Sequence, residues 1–233
     1  MRIFVDPAAL AAGELSVRGD EHHYLARVRR ARPGDAVELV DGAGRRAAAT
    51  IARIGDTATT LVADPPEEIT ARPPFVRALV PLIKGDRMDD CIEKLVEVGV
   101  DAIVVWPAAR SVARLDHARR DARIVKYAAI ARAAARQSGR ARVPPVTGVD
   151  HLDAALAALP AGLRLVLHPA SDATLATGDA SDVTIISGPE GGLSPDELEH
   201  LAGFTPAGLG PRVLRAETAP VIAVALIRAT TRS

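Results

Sequence analysis

A glycine-rich segment near the carboxyl end has the residue types of a ligand-binding loop. Ser187 to Ser194 reads Ser-Gly-Pro-Glu-Gly-Gly-Leu-Ser and follows the apolar run Val183 to Ile186. A helix should begin directly after it, because Ser194 and Glu197 have capping-box spacing and Pro195 occupies the first helical position. Glycines between a strand and a helix let the backbone approach a ligand closely. The same composition also fits a purely structural turn, and this segment alone does not decide between the two.

A second segment, Leu209 to Ala219, combines charged side chains with glycine, proline and apolar residues. Its charged members are Arg212, Arg215 and Glu217, and it lies between a short predicted strand and a predicted helix. Fixed cationic donors stabilise negative charge that develops on a substrate, and a carboxylate beside them orients an arginine or accepts a proton. The alternatives are a solvated loop and a structural ion pair between Arg215 and Glu217.

A third candidate, His168 with Pro169, follows the apolar run Leu163 to Leu167. Loops at the carboxyl ends of parallel strands are where such a sheet contacts ligands. The histidine is interpreted either as a neighbour of the ligand or as a polar cap of its loop.

These three segments need a parallel sheet to position them, and the residues from Phe75 onward predict one. Strands alternate with helices there, and the strands are continuous apolar runs, as in a sheet covered on both faces. The predicted elements are strands at Val76 to Val80, Ala102 to Trp106, Leu163 to Leu167 and Val183 to Ile186, and helices at Arg87 to Val98 (N-cap Asp86, stop at Gly99), about Asp116 to Gln137, and Ala219 to Ala229.

The first 72 or so residues follow a different pattern, with short strands and turns that predict a small β-barrel-like domain. Strands are expected at Ile3 to Val5, Ala36 to Val40, Ala47 to Ile54 and Thr59 to Val62, and one short helix at His22 to Arg29. A proline-rich stretch between Asp64 and Pro74 suits neither regular element and marks the domain boundary. The domains are therefore predicted as 1–72 and 75–233.

Composition excludes several classes of protein. The longest apolar stretches, such as Ala219 to Ile227, are shorter than the roughly 20 residues of a spanning helix, and the first residues lack an export signal, so a cytoplasmic protein is expected. Cys91 is the only cysteine, which excludes a disulfide framework and a thiolate zinc site within one chain. Its place on the apolar stripe of a predicted helix favours a buried small hydrophobe over a nucleophile. No metal is expected.

Basic residues are concentrated locally although the formal net charge is zero. Residues 110–142 hold ten Lys or Arg against two acids, whereas residues 143–233 hold five against ten. Arginine suits RNA because its planar fork binds phosphate in a bidentate manner and stacks on unpaired bases, although a solvated helix face has the same composition. Candidate RNA-binding residues are Arg27, Arg30, Arg45, Arg46, Arg110 and Arg140, with Arg114 and Arg136 in the same central basic set.

The two carboxyl-terminal segments together resemble the signature of a known family, the bacterial 16S rRNA uridine N3-methyltransferases of the SPOUT superfamily. Gly188 to Gly192 and Leu209 to Ala219 carry the resemblance. Lys84-Gly85-Asp86-Arg87-Met88 and Gln137-Ser138-Gly139-Arg140 match other stretches of that family in the same order. His22-His23 with Arg27 and Gly34-Asp35 resembles its N-terminal PUA-like domain. The chain departs from the family pattern at Ala109, Ala133, Arg136 and Lys126-Tyr127, which leaves the details of the basic helix open.

The resemblance implies a C-terminal SPOUT-type trefoil-knot α/β domain behind a PUA-like small β-barrel domain. It also implies a homodimer, S-adenosyl-L-methionine as cofactor, and 16S rRNA or the small ribosomal subunit as partner. The implied cofactor-binding residues lie in three loops: Leu167, His168, Pro169, Gly188, Pro189, Glu190, Gly191, Gly192, Leu209, Gly210, Val213, Leu214 and Thr218.

The chemistry implied by the resemblance gives the charged residues possible roles. A uracil N3 carries a weakly acidic proton, so Arg215 or Arg212 would stabilise the oxygen on which charge develops, and Glu217 would orient an arginine or accept the proton. Two other functions stay open, namely a SPOUT enzyme acting on another RNA or position, and a non-catalytic RNA-binding ribosome assembly factor. A dinucleotide oxidoreductase is disfavoured, because no Gly-x-Gly-x-x-Gly follows the first strand of the sheet.

Overall fold

The computed structural model describes residues 1–111 and 117–230, and only the backbone of 117–118. Arg114 and Asp116, named above, lie outside the described residues. By its internal contacts the chain divides into two compact units, one formed by residues 1–71 and 135–143 and the other by 72–134 and 144–233. The first unit therefore includes a segment, 135–143, that is distant in sequence from the rest of it.

The N-terminal unit is β-rich, as predicted from its short strands and turns. Its strand order is β1-β3-β4-β5-β2 with β6 paired to β4, and all pairs are antiparallel except β1 with β3. Alternate residues of β4, including Ala47, Ala49 and Ile51, face its apolar core. The strands are Arg2–Phe4 (β1), Gly13–Arg18 (β2), Ala36–Val40 (β3), Arg45–Ile54 (β4), Ala58–Ala63 (β5) and Glu67–Glu68 (β6).

The helix of this unit differs from the prediction of a single helix at His22 to Arg29. It begins earlier, as α1 at Gly19–His23, and continues as a π-helical turn over Tyr24–Val28. In that turn the Arg29 N–H donates to the Tyr24 carbonyl at 2.8 Å. The segment ends there because Arg30 has a φ of 50°, a left-handed conformation that stops a helix. The strand β2, just before it, was not predicted. The two-residue strand β6 was not predicted either, and it lies in the proline-rich stretch that was expected to suit neither regular element.

The C-terminal unit contains the predicted parallel sheet, with strand order β12-β10-β11-β7-β8-β9 and every neighbouring pair parallel. Its strands are Phe75–Pro81 (β7), Ala102–Trp106 (β8), Val146–Gly148 (β9), Leu163–Leu167 (β10), Asp182–Ile186 (β11) and Thr205–Ala207 (β12). Its helices are Arg87–Glu97 (α2), His117–Gln137 (α3), Leu152–Ala157 (α4), Pro195–His200 (α5) and Thr218–Thr230 (α6). The last residues of α3, from Ala135, cluster with the first unit. Of these elements, β9 and α4 were not predicted.

The residues that were predicted to begin or end a helix lie at the ends of α5 and α2. At the start of α5, the predicted capping box between Ser194 and Glu197 is confirmed. At the end of α2, Gly99 has a φ of 103°, and the Val100 N–H donates to the Leu95 carbonyl, which closes the helix as predicted. Asp86 occupies the N-cap position of α2 as predicted, but its side chain makes no capping hydrogen bond.

Helix α6 is anchored to the sheet through Arg228. Its guanidinium donates to the carbonyls of Gly99 at 2.9 Å and Pro74 at 2.7 Å, and it forms an ion pair with Asp101. The Asp101 carboxylate also accepts the Val76 N–H at 2.8 Å. These bonds stabilise the position of the helix whose first turn follows Glu217. Among the described residues, no helix combines the length and the hydropathy needed to cross a bilayer.

Cys91 is buried in α2, with 1% of its surface exposed, as the apolar stripe predicted. Burial raises the pKa of its thiol to about 12, and the nearby charges of Glu217 and Asp90 add to the shift. Because the thiolate is the reactive form, we expect the folded protein to resist labelling by iodoacetamide at pH 8, whereas unfolding in urea should expose a fully reactive thiol. Mass spectrometry of labelled protein at increasing urea concentrations measures this, and rapid labelling of the folded chain would contradict it.

Candidate active site

Three loops that carry the predicted site residues leave the carboxyl ends of adjacent strands. The strands β12, β10 and β11 are neighbours in the sheet, so the loops after them begin at the same edge. His168 and Pro169 follow β10, Gly188 to Gly192 follow β11, and Leu209 to Glu217 follow β12. The sheet topology thus brings together segments that are up to about 50 positions apart in sequence.

A cavity of about 520 Å³ lies among these loops, and a smaller one of about 50 Å³ adjoins it through shared lining residues. Its lining is predominantly apolar, with a few charged side chains, and its volume suits a ligand of cofactor size. Predicted cofactor-binding residues that line one or both cavities are Leu167, His168, Pro169, Gly188, Pro189, Glu190, Gly192, Leu209, Gly210, Val213 and Leu214. Gly191 and Thr218 line neither. Lining residues that were not among the predicted cofactor-binding residues include Ser187, Leu193, Ala216 and Ala219 of the two predicted segments, and Ala170 and Leu198 outside them.

The glycine loop is closely packed at two positions where it has no side chain. A Cβ atom on Gly188 would lie 3.1 Å from the Leu193 Cγ, and one on Gly191 would lie 3.0 Å from the Arg110 Cβ. Gly192 has a φ of 72°, a left-handed conformation that favours glycine. A side chain at Gly188 or Gly191 would need its neighbour to shift, and one at Gly192 would be strained, so these glycines fit the structural interpretation of the turn. The ligand-binding interpretation stays a prediction.

Glu197 holds the far end of the glycine loop. Its buried carboxylate accepts the Ser194 N–H and the Ala109 N–H, both at 2.7 Å. Arg110, next to Ala109, donates to the carbonyls of Gly191 and Leu193 at 3.2 Å each. The loop after β8 therefore supports the loop after β11. The Nη1 of Arg110, which was predicted to bind RNA, donates to the glycine loop.

Four charged side chains from three segments form a network beside the cavity. The Arg87 Nη2 lies 2.9 Å from the Glu190 Oε1, and its Nη1 lies 3.8 Å from the Glu217 Oε2. The Arg215 Nη1 lies 3.9 Å from the Glu217 Oε1. Glu217 is largely buried, with 16% of its side chain exposed, whereas Arg215 is 76% exposed and lines the cavity.

The predicted catalytic residues occupy different positions relative to the cavities. Arg215 lines the larger cavity and Arg212 the smaller one, while Glu217 lines neither and lies between Arg87 and Arg215. The Glu217 Oε2 is buried and has no hydrogen-bond partner among the described residues. Arg87 was given no role from sequence, although it stands in the Lys84 to Met88 motif, and that motif was the available signal.

His168 combines the two interpretations that the sequence left open. Its Nδ1 accepts the Ala170 N–H at 3.3 Å, as a polar cap of the loop does, and the residue also lines both cavities. Among the described residues, no group of three or more His, Cys, Asp or Glu side chains is placed to hold a metal ion.

The candidate RNA-binding arginines of the N-terminal unit differ in their availability. Arg27 and Arg30 are exposed, and Arg140 is half-buried.

Arg45 pairs with the buried Asp41 at 2.7 Å. Although burial acts to raise the pKa of Asp41, hydrogen bonds from Arg45 and Ala43 outweigh it, and the pKa is lowered. Arg46 pairs with Glu67 at 2.6 Å. Arg136 pairs with Glu21 and stacks over Tyr24 and Phe4.

Comparisons with known proteins give matches over both units. Residues 71–228 match a family described as an RNA methyltransferase domain, and residues 17–62 match an RNA methyltransferase PUA domain. Ribosomal RNA small subunit methyltransferase E of Mycobacterium bovis is 38% identical over 97% of this chain and 90% of its own length. The enzyme of the same name from Neisseria gonorrhoeae, solved with S-adenosyl methionine, is 28% identical with a TM-score of 0.84, covering 98% of this chain and 97% of that one. A methyltransferase from Legionella pneumophila, in complex with the cofactor SAM, reaches a TM-score of 0.86 at 28% identity with the same coverage.

Proposed function

Because the chain belongs to the RNA methyltransferase family that matches residues 71–228, we propose that it methylates 16S rRNA with S-adenosylmethionine as the methyl donor. We further propose that the methyl group is placed on N3 of a uridine in the small ribosomal subunit. The observation that carries the proposal is the cavity of about 520 Å³ that the three loops enclose. The relatives named for small-subunit rRNA methylation, and those solved with the cofactor, support it over nearly the whole chain.

The residues around the cavity fit the proposed cofactor. The faces of its flat adenine ring suit packing against apolar side chains such as Leu167, Leu193 and Leu214, which line the cavity. The backbone is open at Gly192, where a Cβ atom would meet nothing within 4 Å, so a ligand has room to approach it closely. When bound, S-adenosylmethionine supplies the methyl group that the substrate nitrogen receives.

The charged residues of the Arg215 loop suit the two tasks that methylation of a uracil N3 requires, which are removal of a proton and stabilisation of negative charge. The uracil N3 must lose its proton as the new bond to carbon forms, and negative charge then spreads onto the neighbouring carbonyl oxygens. The exposed guanidinium of Arg215 at the cavity donates to such an oxygen, while Arg212 lies at the smaller cavity beside it. The Glu217 carboxylate, which lines neither cavity, orients Arg215 or accepts the proton through a water molecule.

The N-terminal unit provides the RNA-binding surface in this proposal. Its match to a PUA domain of RNA methyltransferases supports the assignment, and the exposed Arg27 and Arg30 are the side chains that we expect to contact phosphate. We expect smaller contributions from three other arginines. Ion pairs occupy part of the donors of Arg45 and Arg46, and Arg140 is half-buried. Arg110 donates to the glycine loop through Nη1 alone, so we expect its other guanidinium nitrogens to make the contact with RNA.

Three further features of the assignment stay proposals. A trefoil knot at the carboxyl end, a homodimer, and a division of labour between residues 1–72 and 75–233 are implied by the family resemblance. The exposed apolar side chains Ile222 and Leu226 on α6 are available for a second subunit. A substrate on the small ribosomal subunit places the enzyme in the cytoplasm.

The decisive experiment combines cofactor binding with nucleoside mapping. Calorimetry should show that the purified chain binds S-adenosylmethionine, and small subunits lacking the modification should gain one methylated uridine in 16S rRNA. Digestion to nucleosides and mass spectrometry against N3-methyl, C5-methyl and ribose-methyl standards identifies the atom. A methyl group elsewhere would favour the second enzyme class. No cofactor binding would favour a non-catalytic RNA-binding factor.

A further inference from the structure

We propose that Arg87 is a positioning residue that joins the two cofactor loops through one guanidinium. This inference rests on the proposed function, since it concerns the same cavity. Arg87 is the first residue of α2, which follows β7, the fourth strand of the sheet counted from β12, and it belongs to neither loop. Its two terminal nitrogens approach a carboxylate from each: Glu190 of the glycine loop and Glu217 of the Arg215 loop.

The burial of the three side chains shows why a single cation suffices. Arg87 is 39% exposed, Glu190 is 30% exposed and Glu217 is 16% exposed. A carboxylate that is as shielded as Glu217 needs a cation nearby, because burial without one is costly. Arg215 lies at nearly the same distance from Glu217, 3.9 Å against 3.8 Å for Arg87, but its side chain is 76% exposed against 39% for Arg87, so water screens its charge more strongly. Arg87 therefore compensates the charge of Glu217 while Arg215 stays available for substrate.

The shape of the guanidinium matters as much as its charge. Arginine presents donors on two nitrogens in a rigid plane, so it contacts two carboxylates in different directions at once. A lysine at the same position has one nitrogen and a point charge, and it reaches one carboxylate well or both poorly. We therefore infer that Arg87 sets the separation of the two loops, and that the cofactor cavity depends on this separation.

The test measures cofactor affinity and turnover separately in the full-length chain. Arg87→Ala should weaken S-adenosylmethionine binding by about tenfold, because misplacing a binding loop by a fraction of an ångström is costly. Arg87→Lys should fall between wild type and alanine. Lys94→Ala is the matched control, since Lys94 is a paired cation of the same helix whose partners Glu93 and Glu97 also lie on α2. That variant should bind the cofactor as wild type does.

Double variants test whether Arg87 affects cofactor binding through Glu190 and Glu217 or independently of them. If Arg87 acts through both carboxylates, the losses caused by Arg87→Ala and Glu190→Gln should combine to less than their product, and so should those of Arg87→Ala and Glu217→Gln. Should Arg87→Ala fail to fold, Arg87→Lys with Glu190→Gln gives the same cycle. Cofactor affinity and turnover equal to wild type in Arg87→Ala, or additive losses in both cycles, would overturn the inference. Absence of cofactor binding by the wild-type chain would instead overturn the proposed function.

Discussion

Replacement of Arg215 by alanine is expected to lower kcat about a hundredfold, which is the cost of removing one donor that stabilises developing negative charge. The affinity for S-adenosylmethionine should change much less, because the guanidinium is 76% exposed and the lining beneath it stays in place. Folding should be unaffected, since the only ion pair that Arg215 makes among the described residues is the 3.9 Å contact with Glu217. Single-turnover kinetics with small ribosomal subunits, beside calorimetry with the cofactor alone, separate the two effects.

Two comparison variants make the Arg215 result interpretable. Arg72→Ala removes an exposed arginine of the same unit that lines neither cavity, and it should leave kcat unchanged. Arg212→Ala tests the other arginine that the sequence singled out. If Arg215→Ala retains full turnover while Arg212→Ala does not, the stabilising role belongs to Arg212. Full turnover in both variants would mean that the site stabilises charge by other groups, and the mechanism proposed above would be wrong.

Replacement of Gly208 by alanine is expected to cost roughly 3 kcal/mol of unfolding free energy, the upper part of the range for overpacking. A Cβ atom at this position would lie 2.0 Å from the Ser171 carbonyl oxygen, and this oxygen belongs to the backbone and has no free rotation. The Gly208 N–H also donates to the Ala173 carbonyl at 2.8 Å, so the two chain segments cannot separate without losing that bond. Thermal unfolding should shift down by roughly 10 °C for a chain of this size.

Gly203→Ala is the matched control for that experiment. Gly203 is exposed, it does not have a left-handed backbone, and a Cβ atom there would meet nothing within 4 Å. The control should therefore unfold at the wild-type temperature or slightly above it. Because Ser171 follows the loop of His168 and Ala170 that lines the cavity, Gly208→Ala should also weaken cofactor binding. Equal unfolding temperatures for the two alanine variants would show that the Ser171 segment moves aside at little cost.

The sequence alone determined the features that depend on neighbouring residues. The apolar spacing of Met88, Cys91 and Leu95 predicted α2 to within a residue of its end. The Ser194 and Glu197 pair predicted a capping box that the structure contains. Apolar runs predicted the parallel sheet, and the motif resemblance predicted the family that the comparisons then confirmed. In each case the residues that carry the signal lie within a few positions of one another in the sequence, or the signal is the identity of the residues in a motif.

Only the tertiary structure decided which distant residues share a contact. Arg87 meets Glu190 and Glu217 more than 100 positions away because the sheet order places β7, β11, β10 and β12 side by side. Arg110, expected on an RNA surface, bonds to the glycine loop, and residues 135–143 cluster with the first unit. Periodicity and capping signals report the local backbone, whereas strand order depends on the packing of the whole sheet. The loops that line the cavity could therefore be predicted from their own residues, but not the arginine that contacts two of them.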